Sequence, residues 1–190
     1  VSTPVLAARV TYVGELGYEL HVPAEYALHV YETLMERGGA AGIADVGYKA
    51  ISSLRMEKRY LYWSADITPD YTPLEAGLGF AVAFKKGDFL GRAALLAQKE
   101  KGRERRLECF ALDEPLPVYG GEAMLVDGRP IGMTTSGDFG HTVGKSLVLG
   151  YVPKEHFGRE TIEVEAYGKR SSARRIPGCA YDPAGARVRG

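Results

Sequence analysis

At Lys101–Arg106, KGRERR, the hydrophobic rhythm of the chain changes, and this constrains the fold more than any other feature. Before the change, apolar residues recur at helical spacing in three places. Ala27, Val30, Tyr31 and Leu34 follow Pro23, which suits the first turn of a helix, and Gly38-Gly39 closes the element. Val46, Ala50, Ile51 and Leu54 define a second helix, roughly Val46–Arg59, with Lys58 and Arg59 favourable at its negative end. Phe89, Ala93 and Leu96 define a third, Phe89–Lys101, stopped at Gly102. Between the second and third lie an aromatic knot, Tyr60-Leu61-Tyr62-Trp63, an irregular loop with two prolines, and the apolar run Leu78–Phe84, which reads as a strand.

After the change almost no helical periodicity remains. The strand-like runs are Leu107–Leu112, Glu122–Val126, Ile131–Thr135, Ser146–Val152, Thr161–Tyr167 and Ser171–Ile176. Asp127-Gly128 between two of them is a strong hairpin signal, and Gly168-Lys169 a weaker one. Short strands at close, regular spacing predict a small barrel or sandwich. The expected organisation is therefore α+β over residues 1–104 and all-β over residues 105–190, joined by a polar charged linker.

The 24 basic residues balance 24 acidic ones, which argues against a nucleic-acid partner. No apolar run approaches the roughly 20 residues that span a bilayer, so no membrane partner is expected. The opening VSTPVLAARV carries no signal-peptide pattern and enters a strand within a few residues. The expectation is that the chain starts inside a longer protein. Cys109 and Cys179 stand far apart without a CxxC pair, which fits neither a zinc site nor a disulfide framework and points to a reducing compartment such as the cytoplasm.

One stretch of the first region suggests a ligand site. Arg9–Val22, RVTYVGELGYELHV, reads as two extended arms around the turn Gly14-Glu15-Leu16-Gly17. Tyr18, Leu20 and Val22 alternate with Glu19 and His21, which puts Glu19 on the face away from the core. Tyr12 and Glu19 stand at the two lips of the turn, where a ring and a carboxylate could meet one small ligand. An ordinary hairpin with a solvated Glu19 and a core Tyr12 has the same pattern. With Tyr60, Tyr62 and Trp63 nearby in sequence, the set suits a flat, nitrogen-rich heterocycle: the carboxylate accepts paired N–H bonds and the rings stack. Other motifs fail on inspection. Gly144-Lys145-Ser146 lacks the earlier glycine of a phosphate-binding loop, Phe139 standing in its place, and it opens a strand. Gly77-Leu78-Gly79 has Val82 where a dinucleotide fingerprint needs a third glycine. His21, His29, His141 and His156 show no metal-ligand spacing, and no nucleophile elbow or Cys/His pair is present, so neither a metal site nor a catalytic nucleophile is expected.

TYVGELGYELHVP resembles the SYTGE-x-GYE-like segment of the glycine-cleavage T-protein (aminomethyltransferase) family. ISSLRMEKRYLYWSADITPDYTPLEAGLGFAV resembles the SLR-x-EK-x-Y…W-x-x-D…TP-x-EAGL block of the T-protein-like portion of dimethylglycine and sarcosine dehydrogenases. GDFLGRAAL, RLECFALDEP, TTSGDFGHTVGKSLVLGYV and YDPAGARVRG follow in the same order, so the resemblance runs over nearly the whole chain. It implies the C-terminal half of a T-protein-type folate-binding domain followed by a small all-β barrel. It implies tetrahydrofolate as cofactor, capturing a one-carbon unit from an N-methyl or aminomethyl donor. Glu19 takes the position of the family's pterin-binding glutamate, and Tyr12 and Tyr60 those of flanking tyrosines. The family's catalytic aspartate, the first part of its folate domain and, in the dehydrogenases, an FAD domain precede the portion matched here. They would be partners of this chain within one protein, in the cytoplasm or, in a eukaryote, the mitochondrial matrix. Many T-proteins carry an arginine where Ile51 stands, which implies a different contact to the folate tail. The competing expectation is a non-catalytic homologue that keeps the fold for regulation or interaction.

Overall fold

A computed structural model describes residues 3–190. The chain opens with an antiparallel pair, β1 (Leu6–Ala8) and β2 (Glu19–His21), with Ala7 opposite Leu20. The hairpin expected over Arg9–Val22 is thus shifted: its first arm is Leu6–Ala8, and residues 10–18 form an irregular loop. The alternation of Tyr18, Leu20 and Val22 does not translate into a buried face. Tyr18 is 60% and Leu20 41% exposed, because a two-stranded ribbon has no second layer to bury a face against.

Three helices follow as expected: α1 (Ala27–Gly38), and α2 (Tyr48–Glu57) and α3 (Arg92–Lys101), the last two slightly shorter than their expected spans. Only α2 contains fully buried residues, all in its second half: Ser53, Arg55, Met56 and Glu57. The run Leu78–Phe84 is not a strand. It curls through a single 3-10 turn, Gly79–Ala81, with backbone bonds from Ala81 to Leu78 and from Val82 to Gly79, and leaves Phe80 88% exposed. An apolar run becomes a strand only where a neighbour completes its ladder, and here its N–H groups are satisfied within the turn. The preceding TPLEAG loop is a capping box, Thr72 and Glu75 bonding each other's backbone N–H at 2.9 and 3.2 Å. Glu75 also meets Arg105 and Leu107, which ties the loop to the second region.

That second region closes into a barrel of six antiparallel strands: β3 (Arg105–Leu112), β4 (Ala123–Val126), β5 (Arg129–Gly140), β6 (Lys145–Pro153), β7 (Thr161–Ala166) and β8 (Lys169–Ile176). Their order around the barrel is β3-β6-β5-β4-β7-β8, with Cys109 opposite Ile176 where β8 returns to β3. All six predicted runs are strands. Asp127 and Gly128 both take positive φ, 50° and 73°, as a two-residue hairpin turn between right-twisted strands demands. The corresponding turn between β7 and β8 is Tyr167-Gly168, one residue earlier than Gly168-Lys169. Closure leaves no free sheet edge.

Alternation on β3 and β6 sorts two cores. Phe110, Leu112, Val148 and Val152 point into the barrel with Met124, Ile162 and Val164. Leu107, Cys109, Leu147, Leu149 and Tyr151 point outward and meet Met56 of α2. Strands buried on both faces need an apolar run rather than a polar-apolar alternation, and CFAL and LVLGYV supply it. Helix α2 therefore sits on the outside of the barrel wall, and the candidate site lies at this junction.

Candidate functional site

A cavity of about 250 Å³ lies between α2, the Tyr12 loop and the barrel. Helix α2 supplies Tyr48, Ile51, Ser52 and Arg55, spaced at three and four residues so that they share one face. The chain after the helix supplies Tyr62 and Ala65, and the barrel supplies Tyr119, Thr135 and Ser136.

Arg55 forms the floor. Its guanidinium donates to Asp66 at 2.9 Å and to Ser136 Oγ at 3.0 Å, and it lies 5.5 Å from the centre of the Tyr62 ring. Asp66 is fully buried and accepts from Tyr62 N at 2.9 Å and from the Thr135 hydroxyl, while Tyr151 donates to its backbone carbonyl at 2.9 Å. A buried carboxylate with three partners, Arg55, Tyr62 N and Thr135, cancels the arginine charge. The floor is thus polar and rich in donors, yet neutral.

The walls are phenols. Tyr12 donates to Leu61 O at 2.8 Å, and burial pushes its pKa above the ordinary phenol value. Tyr48 and Tyr62 share a hydroxyl–hydroxyl bond of 3.1 Å, which raises the Tyr48 pKa as well. Tyr12 and Tyr48 therefore stay protonated at neutral pH, and the rings of the wall offer hydroxyl donors and π-faces. Tyr119 is set by Glu122, whose carboxylate takes the backbone N–H of Tyr119 at 2.7 Å and of Gly120 at 3.0 Å.

Helix α2 ends because Arg59 turns to φ 55°, and Tyr60 N bonds back to Arg55 O at 2.9 Å. That turn brings Tyr60 against Tyr12, their rings stacked 6.1 Å apart at 19°. Two of the three residues singled out from the sequence, Tyr12 and Tyr60, therefore meet. Glu19 does not join the cavity lining; it stands exposed at the start of β2, opposite Ala8. Trp63 is 67% exposed and lies outside the lining as well. No local pattern marks Tyr48, Tyr119 and Ser136, whose approach depends on the α2–barrel junction. Arg55 and Asp66 carried a signal, since they are the arginine of SLR and the aspartate of W-x-x-D. His141 packs edge-on against Phe139 at 5.1 Å, and Gly144-Lys145-Ser146 turns into β6 as a strand.

An α+β region docked by one helix on a closed six-stranded barrel, with an aromatic, charge-neutral cavity at the junction, defines a two-part fold of the T-protein class. Comparison with known proteins gives its family. The GCVT N-terminal domain model matches residues 1–86, and the glycine cleavage T-protein C-terminal barrel domain model matches residues 105–182. The chain belongs to the glycine-cleavage T-protein family. It is 40% identical to mitochondrial sarcosine dehydrogenase of Mus musculus over 98% of its own length and 21% of that protein. It is 40% identical to an aminomethyltransferase of Desulfitobacterium hafniense (strain DSM 10664 / DCB-2) over 93% of its own length and 48% of that protein. Its fold matches the crystal structure of glycine cleavage system aminomethyltransferase T from Bartonella henselae with a TM-score of 0.82 at 31% identity, covering 90% of this chain and 48% of that one. The chain thus spans about half of its aminomethyltransferase relatives and about a fifth of the dehydrogenase.

Proposed function

We propose that this chain is the tetrahydrofolate-holding portion of a one-carbon-transfer protein, and that the cavity at the α2–barrel junction receives part of that cofactor. The observation that carries the reading is the convergence of Tyr12, Tyr48, Tyr62 and Tyr119 over a neutralised Arg55. Tetrahydrofolate is a chain of flat rings bearing amide and N–H groups, and π-faces with neutral hydroxyls suit its uncharged ring portion. A volume of about 250 Å³ accommodates one such ring system rather than the whole molecule. Glu19, outside the cavity lining, is then the acceptor for the paired N–H donors of the pterin edge, and the stacked Tyr12 and Tyr60 are its aromatic flank. When bound, tetrahydrofolate supplies the nitrogen acceptors for a one-carbon unit. This chain's residues bind it, orient it and exclude water from its ring faces.

The exposed apolar residues Leu28, Val46, Phe80 and Leu90 are the surface on which we place the remainder of the longer protein. The aspartate-bearing segment and, for a dehydrogenase-type protein, an FAD-binding portion belong to that remainder. Among the described residues no helix is long and apolar enough to cross a membrane.

The test is an anaerobic calorimetric titration of the intact protein with tetrahydrofolate. One site per chain is expected, saturating between about 1 µM and 1 mM as enzyme ligands do, and weakened in Tyr12→Ala. No saturable binding refutes the reading. Binding without turnover of any N-methyl or aminomethyl donor would instead mark a non-catalytic homologue.

A further inference from the structure

Residues 10–18 carry Tyr12 to the cavity, yet they belong to no ladder. Their own backbone bonds are few: Val10 N to Ala8 O at 2.9 Å and Val13 N to the Thr11 hydroxyl at 3.2 Å. Their position is set from outside.

Gly14 is buried, takes φ +80°, and lies directly on the aliphatic stem of Lys58. A Cβ at position 14 would stand 2.2 Å from Lys58 Cγ and 2.6 Å from Cδ, so only glycine lets the stem pass. Beyond that crossing Lys58 Nζ donates to the backbone carbonyl of Asp182 at 2.7 Å and reaches its carboxylate at 3.3 Å. The two side chains are only 5% and 11% exposed. Asp182 takes φ 43°, and its two carboxylate oxygens accept from Ala186 N at 2.9 Å and Arg187 N at 3.1 Å. Desolvation alone would raise its pKa, but these two N–H bonds and Lys58 hold it below the ordinary value.

The C-terminal segment is fastened at both ends of this crossing. Ala180 N and Tyr181 N both bond Glu57 O, at 2.9 and 3.0 Å, next to Lys58 in sequence. On the far side Tyr181 donates to Glu15 Oε1 at 3.0 Å, and Arg9 donates to Arg189 O at 2.7 Å. Residues 178–190 therefore strap the Gly14–Gly17 turn against the end of α2, and Lys58 pins all three together.

We propose that Lys58 and Asp182 are positioning residues of the cavity: their buried pair locks the 10–18 loop to α2 and so holds Tyr12 in place for the ligand. Neither residue lines the cavity. The ligand readout rests on the tetrahydrofolate reading; the lock itself does not. Lys58→Met keeps the stem beneath Gly14 and removes only the ammonium. Asp182→Asn keeps a residue suited to positive φ and removes the charge.

The test has two arms on the intact protein. In hydrogen exchange without ligand, both variants should speed exchange over 10–18 and 178–190 by about tenfold or more, with β3 and β6 unchanged. In titration with tetrahydrofolate, Lys58→Met should weaken binding by about tenfold in the wild-type background and not at all in a Tyr12→Ala background. Unchanged exchange over 10–18 overturns the lock, as does faster exchange throughout the barrel, which would mean a general loss of stability. An equal affinity loss in both backgrounds overturns action through Tyr12. Failure of the wild-type protein to bind tetrahydrofolate removes the ligand reading alone, and the exchange arm then decides the lock by itself.

Discussion

Arg55, 6% exposed, is paired with the fully buried Asp66, which accepts from it at 2.9 Å. The pair does two things at once: it satisfies the junction of α2 with the barrel, and it leaves the cavity floor neutral. Removing one partner strands the other charge away from water. Asp66→Ala should therefore destabilise the protein by about 3–5 kcal/mol, read as a shift in the denaturant midpoint, whereas a surface pair such as Arg159–Asp127 should cost less than about 1 kcal/mol. Glu19 makes the opposite prediction. It is exposed and its side chain has no partner among the described hydrogen bonds, so Glu19→Gln should leave the melting temperature in place. In the intact protein the same change replaces an acceptor with an NH₂ facing a donor, and should cost tetrahydrofolate binding about 2–4 kcal/mol, or about 30- to 1000-fold. Calorimetry separates the outcomes: affinity within about threefold of wild type, or a sharp fall in melting temperature, would make Glu19 structural.

Helix α2 is the element that makes a site out of two regions. Its face bearing Tyr48, Ile51, Ser52 and Arg55 looks into the cavity, while Met56 enters the outer barrel core with Cys109 and Leu149. Met56 has no exposed surface, so Met56→Ala should cost about 2–5 kcal/mol and loosen the junction without touching the barrel interior. Cys109, on β3 beneath α2, is sealed by the same contact. Desolvation pushes its pKa from 9.0 to about 12, so at neutral pH it is a thiol and a poor nucleophile. Peptide-level mass spectrometry after brief treatment with an alkylating reagent should find Cys179, half-buried, modified and Cys109 intact until the protein is denatured. The folded pKa lies above the unfolded one, so the contribution of Cys109 to stability is full below pH 9 and is lost as pH climbs towards about 12. Chemical denaturation across that range should show the alkaline decline, and Cys109→Ala should flatten it.

At the scale of the whole molecule the two regions differ in self-sufficiency. The barrel closes on itself and buries both faces of β3 and β6, whereas α1 and α3 contain no fully buried residue. Leu28 at 68%, Phe80 at 88% and Leu90 at 102% exposure leave large apolar side chains of the first region in solvent. The 190-residue chain produced alone is expected to bind hydrophobic dyes through these side chains and, because the aspartate-bearing segment of the family precedes the portion matched here, to show no aminomethyl transfer. Glycine-cleavage turnover above a no-protein control would overturn that expectation.

Whatever depends on near neighbours along the chain was legible in the order of residues alone. Helical spacing located α1, α2 and α3, and turn chemistry such as Asp127-Gly128 located the barrel strands, because dihedral preferences and residue periodicity act within a few residues. Family motifs pointed to Tyr12, Glu19 and Tyr60. Which apolar runs found a partner was settled by packing between distant parts of the chain. Leu78–Phe84 found none and curled, Tyr18 and Leu20 found no second layer, and the first arm of the hairpin moved to Leu6–Ala8. The same packing also decided that Tyr48 and Arg55 would share a cavity with Tyr119 and Ser136, contacts that cross 80 residues in the case of Arg55 and Ser136. Such meetings follow from the register of β5 and β6 and the docking of Met56, and no local pattern encodes a distance of that kind.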